Sequence, residues 1–279
     1  MRGKVIWQPV IYCPLSMEQP YSKYFYENLT DGSIRSARVM VPLVLDLVQP
    51  KSVADIGCGI GTWLKICREH GVEEILGVDG GHVDREQLLI PEECALSADL
   101  SKPLHLEKTY DLVISLEVGE HLPAESAQTL VDTVTRLGPV VMFSAAIPFQ
   151  GGTSHVNEQW QQYWARMFQD RGYLVIDCLR PKVWADPAVL PCYAQNTLLY
   201  VRSDRIHLYQ RLQLELERDL DGRLSAVHPA LYQDLVDPSR CSFREALSFF
   251  YAVAKNRLYA RLGHTSINGR PSTSNERRQ

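Results

Sequence analysis

The sequence predicts an α/β fold, a doubly wound and mostly parallel sheet with helices on both faces. Three observations predict it. Strand-like and helix-like segments alternate from residue 50 to residue 180, the pattern of linked βαβ units. A run of alternating glycines stands directly after the first strand, and acidic residues stand at the ends of the next two.

In order, "KSVADIG" (51–57) is a β-branched strand ending in glycine, and "GTWLKICREHG" (61–71) is a helix with Gly71 as its stop. "EEILGVDG" (73–80) is a second strand, "REQLLIP" (85–91) a short helix closed by Pro91, "CALSADL" (94–100) a third strand and "YDLVISLE" (110–117) a fourth. "AESAQTLVDTVTRLG" (124–138) has the apolar stripe of an amphipathic helix ending at Gly138. "PVVMFSAA" (139–146) is a fifth strand, and "NEQWQQYWARMFQDRGY" (157–173) a helix with Asn157 as N-cap. "YLVIDCLR" (173–180) and "QNTLLYVR" (195–202) are the last two strands, joined by an insert containing Trp184 and Tyr193. Gln195 and Asn196 are expected to begin the seventh strand.

Around this body lie an aromatic lead-in, "YSKYFYENL", and an apolar helix, "ARVMVPLVLDLV". The expected organisation is a lead-in over 1–34, the sheet domain over 35–204, a helical appendage over 205–262 and a disordered tail over 263–279. The two stripes of the appendage, 205–220 and 242–263, suit packing on the body or on a second copy of the chain as a homodimer.

The 279 residues are 45% hydrophobic and 22% charged, with a net charge of −4, which gives no basic footprint for long nucleic acids. Seven cysteines without a Cys-x-x-Cys pair read as reduced thiols. No stretch reaches the roughly 20 apolar residues of a membrane span, and the N-terminal residues lack the pattern of a signal peptide. A cytoplasmic location is expected.

"VADIGCGIGTW" supplies Asp55 and Gly57-x-Gly59-x-Gly61 at the carboxyl end of strand one, where doubly wound sheets hold nucleotides. The dinucleotide fingerprint fails, because its last glycine is Thr62 counted from Gly57 and Leu64 counted from Gly59. Over residues 35–202 the sequence resembles the class I S-adenosylmethionine-dependent methyltransferases, whose glycine loop it matches. The resemblance implies a seven-stranded Rossmann-like methyltransferase sheet. It also implies that Asp79 holds the cofactor ribose, Asp99 the adenine amine, and Asp55 faces the methionine amino group through the loop. Leu100 and Leu116 complete the expected cofactor-binding residues. A plainer role for Asp79 and Asp99 is as turn residues with nothing bound.

"LEVGEHL" (116–122) follows strand four at the edge where such a fold presents the methyl group. A helical turn from Glu117 would set Glu117, Glu120 and His121 on one face. His155, in "GGTSHVNEQW" after strand five, stands at the same edge. Glu-x-x-Glu-His with a downstream His looks like the metal site of the small-RNA 2′-O-methyltransferases, and its first part is similar to the ubiquinone-biosynthesis O-methyltransferases. The resemblance makes Glu117, Glu120, His121 and His155 candidate ligands of Mg²⁺ or Mn²⁺, and His155, Glu120 and His121 candidate catalytic residues. Four ligands on a six-coordinate ion leave room for two vicinal hydroxyls, so a diol is the natural acceptor.

The same residues admit plainer roles. Glu120 can favour a helix N-terminus, His121 can have a satisfied ring, and His155 can act alone as a general base. Glu158 and Asn157 stand next to His155 and can support it. Trp160, Trp164 and Phe168 form a stripe that reads as core.

The expected function is O-methylation of a small polar diol, a sugar or sugar nucleotide first. The stretch "FSAAIPFQGGTSHVNEQW" is also similar to bacterial methyltransferases that accompany surface-polysaccharide synthesis. Alternatives are 2′-O-methylation of an RNA 3′ end, a catechol or natural-product acceptor, and a non-catalytic partner subunit that binds S-adenosylmethionine.

Overall fold

The structure, a computed structural model, describes residues 23–81, 83–218, 224–236 and 251. Apart from Tyr251, the second C-terminal stripe expected over 242–263 lies outside the described residues, as do the tail and residues 1–22. Two compact units divide the chain, Met1–His228 and Pro229–Gln279.

The first unit is built on seven strands: β1 (Ser52–Ile56), β2 (Glu74–Asp79), β3 (Ala95–Ser97), β4 (Leu112–Leu116), β5 (Val140–Ser144), β6 (Tyr173–Ile176) and β7 (Leu198–Arg202). Their order across the sheet is β3-β2-β1-β4-β5-β7-β6. Neighbours from β3 to β5 pair in parallel, while β7 runs antiparallel to both β5 and β6. β4 and β5 are buried along their whole length. Near-continuous apolar runs such as "LVISL" and "VVMFS" suit strands covered on both faces.

One face is covered by α1 (Lys23–Val48), α2 (Thr62–Glu69) and α7 (Gln210–Arg218), which bring Met40, Leu64 and Leu212 onto Ile114, Met142 and Leu199. The other is covered by α3 (Ala127–Leu137) and α4 (Gln161–Gln169), with Val134, Trp164 and Phe168 against Phe143 and Tyr200. Phe168 stacks on Tyr200 at 3.8 Å, and Trp164 tilts against Phe143 at 5.2 Å. Trp164 and Phe168 are therefore core residues. Helix α1 runs through residue 34 without a break.

The local signals hold where they are strong. Helix α2 ends where expected, with Gly71 N–H donating to Arg68 O and Val72 N–H to Cys67 O, the paired bonds of a Schellman stop. Four local expectations need correction. Residues 85–91 form a single 3₁₀ turn, Arg85–Gln87, capped by Asp84, and Leu89 N–H is drawn out of any helical pattern to Ile60 O. Helix α4 starts at Gln161, not after Asn157; Val156 and Asn157 donate their N–H groups to Glu120 O, Gln159 donates to Ala146 O, and residues 157–160 stay outside the helix. Gln195 and Asn196 end helix α6 (Pro191–Asn196) and do not begin β7. Finally, the turn after β4 is one 3₁₀ turn, Gly119–His121, and Glu117 lies outside it with φ of 53°.

The insert between β6 and β7 folds as α5 (Arg180–Val183) and α6. Since β7 returns antiparallel, this insert sits at the carboxyl edge of the parallel strands. Helix α8 (Pro229–Val236) belongs to the second unit. Among the described residues, no helix is long and apolar enough to cross a membrane.

Candidate active site

Loop 57–61 turns the chain from β1 into α2 beside a cavity of about 570 Å³. Gly57 has φ of 89°, and a Cβ there would meet Val118 Cγ2 at 2.2 Å, so glycine is required on both counts. Asp79 braces the loop: its Oδ2 accepts from Gly59 N–H and its Oδ1 from Gly80 N–H, both at 2.6 Å.

Of the cofactor residues expected from sequence, Gly57, Asp79, Asp99 and Leu100 line the cavity. Asp99 accepts from Ser101 Oγ at 2.6 Å and Ser101 N–H at 2.9 Å, bonds that hold its carboxyl below the usual range. Gly59 and Gly61 belong to the loop but are not among the lining residues. Leu116 is buried in β4. Asp55 lies beneath the loop, 2% exposed, with Oδ2 unbonded. Burial first, and then the charge of Asp79, push its carboxyl well above the usual range. Six further lining residues, Gly80, Gly81, Ser97, Ala98, Val118 and Leu122, were missed from sequence. Only the doublet Gly80-Gly81 after Asp79 carried a legible signal.

Glu117 and His121 line the same cavity on its far side. Glu117 N–H donates to Ser144 O and Ser144 Oγ, which fastens the end of β4 to β5. Its carboxylate accepts from Gln150 Nε2 at 3.0 Å and Asn196 Nδ2 at 3.2 Å. Glu120 is fully buried, and neither carboxylate oxygen makes a hydrogen bond of normal geometry. Burial and then the adjacent Glu117 carboxylate push it well above the usual range, while nearby backbone groups at Glu120 and Ala146 pull the other way.

Ligand atoms of Glu120, His121 and His155 lie within 4.8 Å of one another. Glu117 is not in that triplet; it stands beside Glu120, tied to amides. The two imidazole rings meet edge to face with centroids 4.8 Å apart. The bonds from Val156 and Asn157 to Glu120 O, with Asn157 Nδ2 donating to Gly119 O, hold the loop after β5 against the turn after β4. His155 is thereby brought opposite Glu120.

Glu158 organises this loop. Its carboxylate accepts from Phe149 N–H at 2.8 Å, Gly151 N–H at 2.7 Å and His155 Nδ1 at 3.0 Å. An imidazole that donates through Nδ1 leaves Nε2 as its ligand or base atom. Gly152 faces that nitrogen: with φ of 152°, its Cβ would lie 2.3 Å from His155 Nε2. In the insert, Tyr193 bonds Ser33 Oγ and packs edge-on against Trp63, so it belongs to the packing of the insert.

The sequence model of a family described as a methyltransferase domain matches residues 34–178, just over half of the chain. The chain belongs to that methyltransferase family. With the glycine loop and the sheet order, this makes it a class I S-adenosylmethionine-dependent methyltransferase. A comparison with curated proteins returns no match. Among solved structures, the methyltransferase is similar to the methyltransferase domain of a bacterial CtHen1 (20% identity, TM-score 0.44, covering 60% of this chain and 98% of that one). It is similar to magnesium protoporphyrin IX methyltransferase (ChlM) from Synechocystis PCC 6803 (20%, TM-score 0.45, 64% and 88%). It is similar also to DesVI from Streptomyces venezuelae (14%, TM-score 0.47, 64% and 95%).

Proposed function

We propose that this methyltransferase acts on a hydroxyl oxygen of a small polar diol, a sugar or sugar nucleotide first, with a divalent cation held by Glu120, His121 and His155. The observation that carries the reading is the Glu120 carboxylate, buried and without a hydrogen bond of normal geometry, facing two imidazoles beside the donor cavity. A buried charge persists only when paired or ligating, and a carboxylate with two imidazoles suits Mn²⁺ or Mg²⁺. A bound cation supplies a lowered hydroxyl pKa and a fixed lone-pair direction. S-adenosylmethionine supplies an electrophilic methyl on a sulfonium.

The protein's own residues do the positioning. Glu158 fixes the His155 ring, and Gly152 leaves its Nε2 uncovered. Gln150 and Asn196 hold the Glu117 carboxylate at the rim of the cavity. The acceptor hydroxyl gives its proton to solvent, or to His155 Nε2 where no cation occupies that atom. Its oxygen forms the C–O bond, and the C–S bond breaks with its electron pair left on the sulfur of S-adenosylhomocysteine.

One observation favours a second, metal-free form. His155 and Glu158 make a 3.0 Å imidazole–carboxylate pair, the arrangement that lets a histidine take the acceptor proton directly.

The test is methyl transfer from labelled S-adenosylmethionine to a free sugar, a sugar nucleotide, catechol and a short single-stranded RNA, with Mn²⁺ and after chelation. We expect a diol to be methylated, activity to vanish on chelation and to return with Mn²⁺. Glu120→Ala and His155→Ala should each cut turnover by more than about 100-fold, while donor affinity stays within about threefold. Equal loss of donor binding in both variants would show the assigned roles to be wrong. Activity that survives chelation and Glu120→Ala but not His155→Ala selects the metal-free form. RNA as acceptor would show itself by binding that weakens steeply with salt.

A further inference from the structure

The turn after β5 carries a residue that folding does not call for. Gln150 N–H donates to Ile147 O at 3.0 Å, closing the four-residue turn Ile147-Pro148-Phe149-Gln150. Phe149, its third residue, has φ of 70°. Proline second and a positive φ third are the pattern of a type II turn, whose third position favours glycine or asparagine. A bulky side chain there is strained, and such strain persists where the surroundings impose it, commonly at functional sites.

The ring of Phe149 gains nothing from packing: it is 77% exposed, whereas Ile147 is buried. Its place is nevertheless held firmly from both sides. Glu158 Oε2 accepts the Phe149 N–H, and the same carboxylate holds His155 Nδ1. Gln150, the next residue, turns inward and donates to Glu117 Oε2. The exposed ring is thus tied through one carboxylate to His155, and through one peptide to the residue that braces Glu117. On the other side of His155, the same loop exposes Val156 (65%) and Trp160 (43%). An outward apolar rim next to an inward polar triplet matches an acceptor of two characters.

We infer that Phe149 is the acceptor-specificity residue of this enzyme, stacking on a flat ring that the acceptor carries next to its hydroxyl pair. The inference rests on the reading of the Glu120–His121–His155 edge as the acceptor site and deepens it. A nucleoside and a catechol share this chemistry, a planar ring bonded close to vicinal hydroxyls; glycerol offers the hydroxyls without the ring.

The test uses the full-length protein loaded with S-adenosylhomocysteine and Mg²⁺, with adenosine, catechol and glycerol as probes in saturation-transfer NMR. We expect ring protons of adenosine, catechol or both to receive saturation. Phe149→Ala should weaken binding of the responding ring probe about tenfold, the scale of one aromatic stacking contact. Phe149→Trp should stay within about threefold of wild type, and glycerol binding should not depend on position 149. Phe149→Gly separates recognition from folding: it should lose the ring probe as alanine does, with a Tm no lower than wild type, because glycine suits a positive φ.

Ring probes that bind Phe149→Ala as they bind wild type, or that receive no saturation from wild type, overturn the inference. Methyl transfer to a ring-bearing diol that is indifferent to Phe149→Ala also overturns it while leaving the proposed function standing. Phe149-dependent ring binding without transfer to any diol does the reverse.

Discussion

Asp55 and Glu120 are both buried carboxylates with an unbonded oxygen, and their surroundings separate them. Each has a like charge beside it, Glu117 next to Glu120 and Asp79 next to Asp55, but only Glu120 also has two imidazoles within reach. Asp55 therefore opposes folding at neutral pH. The folded protein holds its proton to a higher pH than the unfolded chain, whose aspartate titrates near about 3.9. Above that value the folded state binds more protons, so stability falls as pH rises through the interval up to the folded pKa. Asp55→Asn removes this loss. Its Tm should match wild type near pH 4 and exceed it by at least about 2 °C at pH 7. A scan across that range checks it, and a gain independent of pH would contradict the assignment. The glycine loop and Asp79 were legible in sequence because turn chemistry is local. The left-handed φ of Glu117 and the strained turn at Phe149 were not, since nothing in "LEVGEHL" or "IPFQ" marks a backbone held by partners elsewhere.

At the scale of elements, residues 224–228 act as a strap over the insert. Arg180, 3% exposed, donates through Nη1 to Leu224 O and Gln195 O, and pairs through Nε and Nη2 with Asp177. Gln161 Nε2 donates to Ala226 O, and Gln195 Oε1 accepts His228 N–H at 2.7 Å. His228 Nε2 donates to Trp184 O. Gln195 Nε2 in turn reaches Gln150 Oε1 at 3.1 Å, and Gln150 reaches Glu117. A chain of neutral amides thus links the strap to the rim of the donor cavity. Arg180→Ala removes the guanidinium that pairs with Asp177 and donates to Leu224 O and Gln195 O, at a cost on the order of 3 kcal/mol. Urea unfolding should show a lower midpoint with an unchanged slope. In sequence, "CLRPKVW" offers no sign of this, because every partner but Asp177 is distant along the chain.

For the whole molecule, the compact unit that carries the site reaches His228. A chain ending at His228 keeps the strap, and it should unfold cooperatively with a Tm within about 3 °C of full length and bind S-adenosylmethionine normally. A chain ending at Arg223 lacks it. There Arg180 and Gln161 lose carbonyl partners, and the Tm should fall by at least about 4 °C. Calorimetry of the two shortened chains decides the point, and equal Tm values would deny the strap its role.

By itself the sequence determined the alternation of strands and helices, the glycine loop with its acidic brace, and the set of carboxylates and imidazoles at one sheet edge. Each of these depends on residues a few positions apart, where periodicity and turn chemistry act. Only the tertiary structure decided which groups meet. Strand β7 returns antiparallel, so the end of α6 that leads into it arrives at the carboxyl edge, with Asn196 on Glu117 and Gln195 on Gln150. A strand's side-chain period is the same in either direction, so apolar pattern cannot reveal that reversal. The pairing of His155 with Glu120, and the turn that holds Phe149 outward, likewise depend on bonds between loops that only the assembled sheet brings within reach.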